Sequence, residues 1–416
     1  MAQDNSRYWS PNRTYEFELK IGKIDLTPDL YSLTILTSVD LPYQTFLLQI
    51  FLDPKDIILD EIYGQKPLKL KSRMYGTAPS LVMEEINFEL MYLSSDMPIE
   101  ITPVNSRTPA NMQKDRSTVT FTCVARYAYM TMSTLINSVH QGKKLSDVIA
   151  DMIDSVGATL NYDSKGENSE VIDQVLIPPS TLYKNLRYIN KTFGIYNGMA
   201  AIYCSHDNIV NIKNLTKKMQ KSDQFIIYQL PTDTDNTEII ESCNDGKRFY
   251  TTENMHTKYK GNSAFAYLAP RMRYIVKPKD RLFSSIDIEL ESFAQEYGLI
   301  SKDNNIFYDN KALPSATRVS LHKDHTGYEL TKSFINAKLS RNICAITELS
   351  VTVQQSMKIL NLMNVGEAVK IDTKIEATRD FTGLYILRAS QINFVKETDW
   401  QSSANLFLMR TNRSIT

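Results

Sequence analysis

From Tyr15 to about Tyr129 apolar and polar residues alternate with a period of two, broken only by short turn signals at Thr27-Pro28-Asp29, Asp53-Pro54 and Tyr63-Gly64. That period is the signature of strands with one buried face. It is clearest from Thr118 to Tyr127, where Val119, Phe121, Cys123 and Ala125 share one face and Thr118, Thr120 and Thr122 the other, as a half-buried antiparallel strand requires. Residues 1–129 therefore read as an all-β domain.

The period then changes. Leu145, Val148, Ile149, Met152, Ile153 and Val156 fall on one stripe of an amphipathic helix, with Ser146 near its start and Gly157 as its stop. A second helix follows Pro178-Pro179, with Ser180 as N-cap, Leu182, Leu186, Ile189 and Phe193 on its apolar stripe, and Gly194 at its end. Asn197-Gly198 turns the chain into a hairpin over residues 199–213 whose tip is Ser205 to Asn208. These elements make an α+β domain over 130–215.

Further on, DQFIIYQL at 223–230 reads as a strand and the polar stretch 233–259 as a crossing loop. Alternation returns over 283–291, a helix suits 327–342, and strands suit ITELSVTV at 346–353, EAVKIDTKI at 367–375 and LYILRASQINFV at 384–395. The expected fold is α+β, mainly β: a β domain over 1–129, an α+β domain over 130–215, a second β domain from 216–260 and 345–416, and an inserted α+β domain over 261–344. YGQKPLKLK at 63–71 echoes VGEAVKIDTK at 365–374. Similar turn chemistry would explain the echo, and so would two copies of one barrel.

Forty-seven Lys+Arg balance forty-seven Asp+Glu among 416 residues, so no global charge directs the chain to nucleic acid or an anionic membrane. The N-terminus lacks the apolar core of a signal peptide and no window approaches a membrane span, so membrane insertion is not expected. Accordingly the sequons at Asn12, Asn190, Asn214 and Asn412 should carry no glycan. Cys123, Cys204, Cys243 and Cys344 are scattered and read as reduced core thiols. His140, His206, His256, His322 and His325 sit in no catalytic motif, and His322 and His325 with Asp324 lack a placed further ligand for a metal. Gly64-Gln65-Lys66 lacks the spacing of a phosphate loop, and Lys217-Lys218 and Lys277-Pro278-Lys279 are too short for a nucleic-acid track. No catalytic, cofactor-binding or metal-binding residue is assigned, and the chain is not expected to be an enzyme. A hydrolase with a carboxylate pair that leaves no motif is one alternative; a receptor- or glycan-binding component, suggested by 23 Tyr and 16 Phe, is another.

Taken in order, three blocks resemble the baseplate (tail) hub proteins of contractile-tailed bacteriophages, related to the hub part of type VI secretion spike proteins. They are KIDLTPDLYSLTILTSVDLPYQTFLLQIFLD at 23–53, IPPSTLYKNLRYINKTFGIYNGMAAIYC at 177–204 with Phe193-Gly194, Tyr196 and Gly198, and the terminal block from the 327–342 helix to Trp400. The resemblance implies that both β domains are tail-tube-like antiparallel barrels and that the protein is a homotrimer presenting six barrels around a channel. It further implies a ring that adapts a threefold central spike to a sixfold tail tube and serves as the platform for tube assembly. The implied partners are the spike, the tube or tube-initiator protein, the tape measure protein and surrounding baseplate proteins. DNA would pass only as cargo. The implied location is the tail baseplate of a virion assembled in the host cytoplasm. At this length the hub domains leave no room for a fused needle, so the spike is expected to be a separate chain.

Overall fold

The structure is a computed structural model and describes residues 14–52, 66–75, 82–96, 117–163, 171–196, 200–215, 225–232, 236–243, 247–259, 274–278, 286–288, 317–321, 347–353, 359–360 and 363–410. The N-terminal alternation gives β1 (Thr14–Ile21), β2 (Ile24–Asp25), β3 (Leu30–Ser38), β4 (Thr45–Leu52), β5 (Leu68–Tyr75), β6 (Val82–Asp96) and β7 (Ser117–Ala125). They are antiparallel throughout, in the order β3-β4-β7-β6-β5-β1-β2. Phe17, Leu19, Phe46, Leu48, Phe121 and Cys123 are buried on the inner face. β7 stops two residues before its alternation does, because Ala128, Thr131 and Met132 bury at helical spacing and Arg126 opens α1 (Arg126–Ser133).

The central unit follows as β8 (Leu135–Lys144), α2 (Leu145–Asp154), β9 (Thr159–Tyr162), β10 (Val171–Thr181), α3 (Leu182–Thr192), β11 (Ala200–Cys204) and β12 (Ile209–Asn214). α2 buries Leu145, Val148, Ile149, Met152 and Ile153, the stripe that its sequence sets out; its N-cap is Lys144, which places Ser146 inside the first turn. In α3 the cap is Thr181, not Ser180: the Thr181 hydroxyl accepts the Lys184 N–H at 3.4 Å. The β11–β12 hairpin turns at Ser205–Asn208, with Asn208 in the left-handed region at φ 63°. Thr131 Oγ1 donates to Asn208 Oδ1 at 2.5 Å and fixes that tip to α1. The ribbon β8–β10, in contrast, was not legible from the sequence, because its outer face is apolar too: Leu135, Val139 and Leu176 are exposed and blur the alternation.

The remaining elements are β13 (Phe225–Gln229), α4 (Thr237–Ser242), β14 (Arg248–Thr251), β15 (His256–Tyr259), β16 (Tyr274–Pro278), β17 (Ile286–Ile288), β18 (Thr317–Leu321), β19 (Thr347–Val353), β20 (Ala368–Thr373), a 3-10 turn at Glu376–Phe381, β21 (Gly383–Lys396) and β22 (Trp400–Arg410). The expected crossing loop at 233–259 thus holds a helix and two strands. Of the strand expected over 283–291, residues 286–288 form β17; the 327–342 helix lies outside the described residues. β13 departs from the antiparallel expectation, running parallel to both β14 and β20.

β3 pairs with β21 and joins the N-terminal and C-terminal strands into one sheet of 14 strands. Among the described residues no series of strand pairs closes it into a barrel. It rolls instead, so that Phe17 of β1 meets Phe394 of β21 at 4.9 Å and Trp400 of β22 at 4.7 Å between ring centroids, with one continuous core inside.

The strand order repeats within the chain. β3-β4-β7-β6-β5 and β15-β19-β22-β21-β20 follow the same path, every adjacent pair antiparallel. Setting Leu68 on Val369, as the echoing segments suggest, puts their ladder partners Leu90 and Tyr385 in register. The β-bulges of the next ladder, at Leu93 and at Arg388, then coincide. The neighbouring strands also bury two successive residues at the same point, Cys123-Val124 in β7 and Leu408-Met409 in β22. A bulge adds one residue and flips the faces beyond it, so two bulges at one position are a shared feature of the strand block and not of turn chemistry alone.

Candidate assembly surface

The residues weighed for chemistry do not converge. His140 Nε2 lies 2.8 Å from Ser138 Oγ and its Nδ1 3.3 Å from Asp151; His256 opens β15; His322, His325, Asp324, Lys217, Lys218 and Cys344 lie outside the described residues. Cys123, Cys204 and Cys243 are buried, and burial pushes the Cys123 and Cys204 thiols up to about 12, well away from a reactive thiolate. Among the described residues no His, Cys, Asp and Glu cluster could hold a metal.

His206 is the exception in placement. It sits on the hairpin tip with its ring 5.0 Å from Phe88, lining a cleft of about 460 Å³ between the β3–β4 turn, β6, the β11–β12 tip and residues 359–360 and 363–365. Burial holds its imidazole below the ordinary 6.5, against a smaller opposite pull from Asp207. A base with a depressed folded pKa binds fewer protons folded than unfolded, so its stability contribution is intact above about pH 6.5 and declines as pH falls toward the folded pKa. His206→Phe should flatten that part of the stability curve in urea melts between about pH 7.5 and 5. An unchanged slope in the variant would show that His206 is not the group responsible.

Four further contacts hold this three-way junction. Lys213 of β12, almost buried, stands 3.6 Å from Asp163 and 3.8 Å from Glu367, and Tyr203 donates to the Val365 carbonyl at 3.1 Å. On the other side Cys204 N–H donates to the Pro42 carbonyl at 2.8 Å. The α+β unit therefore touches both the N-terminal and the C-terminal halves of the large sheet.

The face of that sheet opposite the core divides by chemistry. On β1, β5 and β6 it carries a lattice of alternating charge: Arg73 reaches Glu16, Glu18 and Glu85 at 3.2, 2.8 and 3.0 Å, and Lys71 reaches Glu85 at 2.8 Å. Hydrogen bonds from Lys71, Arg73 and Asn87 hold the exposed Glu85 carboxyl at about 2. Across the middle of β7, β4, β3, β21 and β22 the same face carries an uncharged row. Ser403, Asn393, Thr34, Leu47, Thr122 and Ser94 stand in one row across five strand pairs, with Thr34 donating to Asn393 at 3.0 Å.

The seam between the two halves lies at the Arg388 bulge. Before it β21 pairs with β20; beyond it Ala389 to Val395 pair with Ser38 to Ser32 of β3. Arg388 Nε and Nη2 donate to Asp40 Oδ2 at 2.9 and 2.8 Å, Nη1 donates to Glu348 at 2.8 Å, and the Arg388 carbonyl accepts the Val39 N–H at 2.9 Å. Charge-assisted bonds in a fixed fork give this seam a defined register.

Residues 80–311 match the family described as Bacteriophage PBS1 gene 109 protein, more than half of the chain. The chain belongs to this family. This family member has the fold of phage tail proteins. It is similar to the tail protein from Neisseria meningitidis MC58, with a TM-score of 0.58 at 10% identity over 96% of this chain and 98% of that one. It is likewise similar to the 43 kDa tail protein of prophage MuSo2 from Shewanella oneidensis, with a TM-score of 0.54 at 11% identity over 95% and 98%. No curated protein matches by sequence. The expected resemblance to phage tail proteins and the mainly β character both stand. Among the features that sequence reasoning missed are the seam, the ribbon, α1 and β22.

Proposed function

We propose that this member of the gene 109 family is the structural hub of a phage tail baseplate, a homotrimeric ring of pseudo-sixfold symmetry. The observation that carries the proposal is the duplicated strand block with its coincident bulges: three copies of a chain holding two equivalent blocks supply six equivalent units. Such a ring would adapt a threefold central spike to a sixfold tail tube and serve as the platform on which tube assembly starts. Each duplicated block, with the strands that roll it up, would be one tube-like domain, separated by the α+β domain and the inserted segment. The tube or tube-initiator protein, the spike, the tape measure protein and neighbouring baseplate proteins would be its partners, and the role would be mechanical, without catalysis. The uncharged row, hydroxyl and amide side chains apart from Leu47, suits a channel wall, because it offers a passing polyanion no cation to bind.

Light scattering after size exclusion tests this. A mass of about 143 kDa, three times 47.6 kDa, is expected. A monomer at every concentration across a tenfold range, with the spike protein present as well as absent, would overturn the ring.

A further inference from the structure

We infer that Ser138 is a nucleophilic serine, with His140 as its base and Asp151 positioning that base, and that it takes an acyl group from an activated ester. The inference does not depend on the hub reading, because its residues lie away from the cleft, the seam and the duplicated block. Ser138 Oγ lies 2.8 Å from His140 Nε2, and His140 Nδ1 lies 3.3 Å from Asp151 Oδ2. A hydroxyl on an imidazole whose other nitrogen meets a carboxylate is the arrangement that activates a weak nucleophile.

The fold builds this group from two adjoining elements. Ser138 and His140 are two residues apart on β8, so the pleat puts both on one face. Their ladder partners, Ile177 and Val175, are buried, so that face is the inner one. Asp151 comes from α2, which begins at Leu145 directly after β8 ends at Lys144. Lys143 binds the same carboxylate oxygen and pins it beside the ring.

This geometry fixes the proton. A carboxylate only accepts, so His140 Nδ1 carries the proton of the neutral imidazole and Nε2 presents a lone pair. The Ser138 hydroxyl therefore donates to Nε2, the direction that a general base needs. The His140 side chain is 10% exposed, which limits competition from water for that lone pair, while Ser138 is only half-buried and open to a small ester. Among the described residues β8 pairs with β10 alone, so the N–H groups along its other edge lie outside any ladder and supply main-chain donors for an oxyanion. In the step itself the bond from Oγ to the acyl carbon forms as the bond from that carbon to the leaving oxygen breaks. The hydroxyl proton passes to Nε2 and from there to the departing oxygen, so the ester is the one co-reactant. One acyl group is transferred per chain, a stoichiometric reaction that stands apart from the mechanical role.

The test exposes the full chain to p-nitrophenyl acetate and maps the acetyl groups by peptide mass spectrometry. Acetylation concentrated on Ser138, and lost when the chain is first unfolded in urea, is expected. His140→Gln keeps a polar side chain but cannot take the proton, and should slow acetylation of Ser138 by about 100-fold or more. Asp151→Ala should slow it by about tenfold or more, and Asp151→Glu, which keeps an acceptor, should recover part of that loss. Urea melts of each variant separate loss of the base from loss of the fold. Acetyl groups on lysines alone, a Ser138 that reacts no faster folded than unfolded, or a folded His140→Gln variant as fast as the parent would each overturn the inference.

Discussion

Phe394→Ala should lower the stability of the folded chain by about 3–5 kcal/mol, read as a reduced urea midpoint at unchanged slope. Phe394 is fully buried in β21 and faces Leu33 across the seam. Its ring meets Phe17 edge-on at 4.9 Å and Tyr15 at 5.5 Å, so truncation removes both the ring's burial and two aromatic contacts that hold the rolled edge of the sheet. Neighbours on β-strands fixed by ladders cannot collapse far into the hole, which places the effect at the upper part of the range. Phe394→Leu keeps most of the apolar volume and should cost less than half as much. A loss below about 1 kcal/mol for the alanine variant would mean that β1 does not pack against β21.

Asn185→Leu should be the next most damaging change, at about 3 kcal/mol. Asn185 is fully buried on α3, and its Nδ2 donates toward the carbonyls of Ile136, Pro178 and Ser180 at 3.2, 3.1 and 3.2 Å. Those carbonyls need it. The β8–β10 ladder slips at the bulge between Ile177 and Ser180, where Pro178 and Pro179 have no N–H to give. Leucine would fill the same space and leave three acceptors without that donor, so packing loss and hydrogen-bond loss are separated in one variant. Thermal melts would show the drop; a variant as stable as the parent would mean that water takes over the role of the amide.

Residues such as Leu145 to Ile153, or the Ser205–Asn208 tip, declared their structure in sequence because one short window contains the whole period or the whole turn. Asn185 shows the limit of that method: it sits on the α3 stripe between Leu182 and Leu186, where a periodicity count sees an interruption, and only the proline bulge explains it. β14 and β15 are four residues each, too short for alternation to register, and the direction of β13 depends on partners far away in the chain. β22 was readable, since Ala404, Leu406 and Leu408 alternate with Ser403 and Asn405, although Phe407 disturbs the pattern. The assembly surface was legible only as the echo between residues 63–71 and 365–374.

The β3–β21 seam also sets a timetable for synthesis. β3 emerges from the ribosome within the first tens of residues, but the strand that covers its edge follows about 350 residues later, roughly 20–70 s at ordinary elongation rates. For that interval the nascent chain carries an uncapped β edge beside Tyr31 and other apolar side chains. Early capture of this edge by a chaperone, or by an identical nascent chain on the same message, is the hazard that such a topology has to survive before any tail can be built.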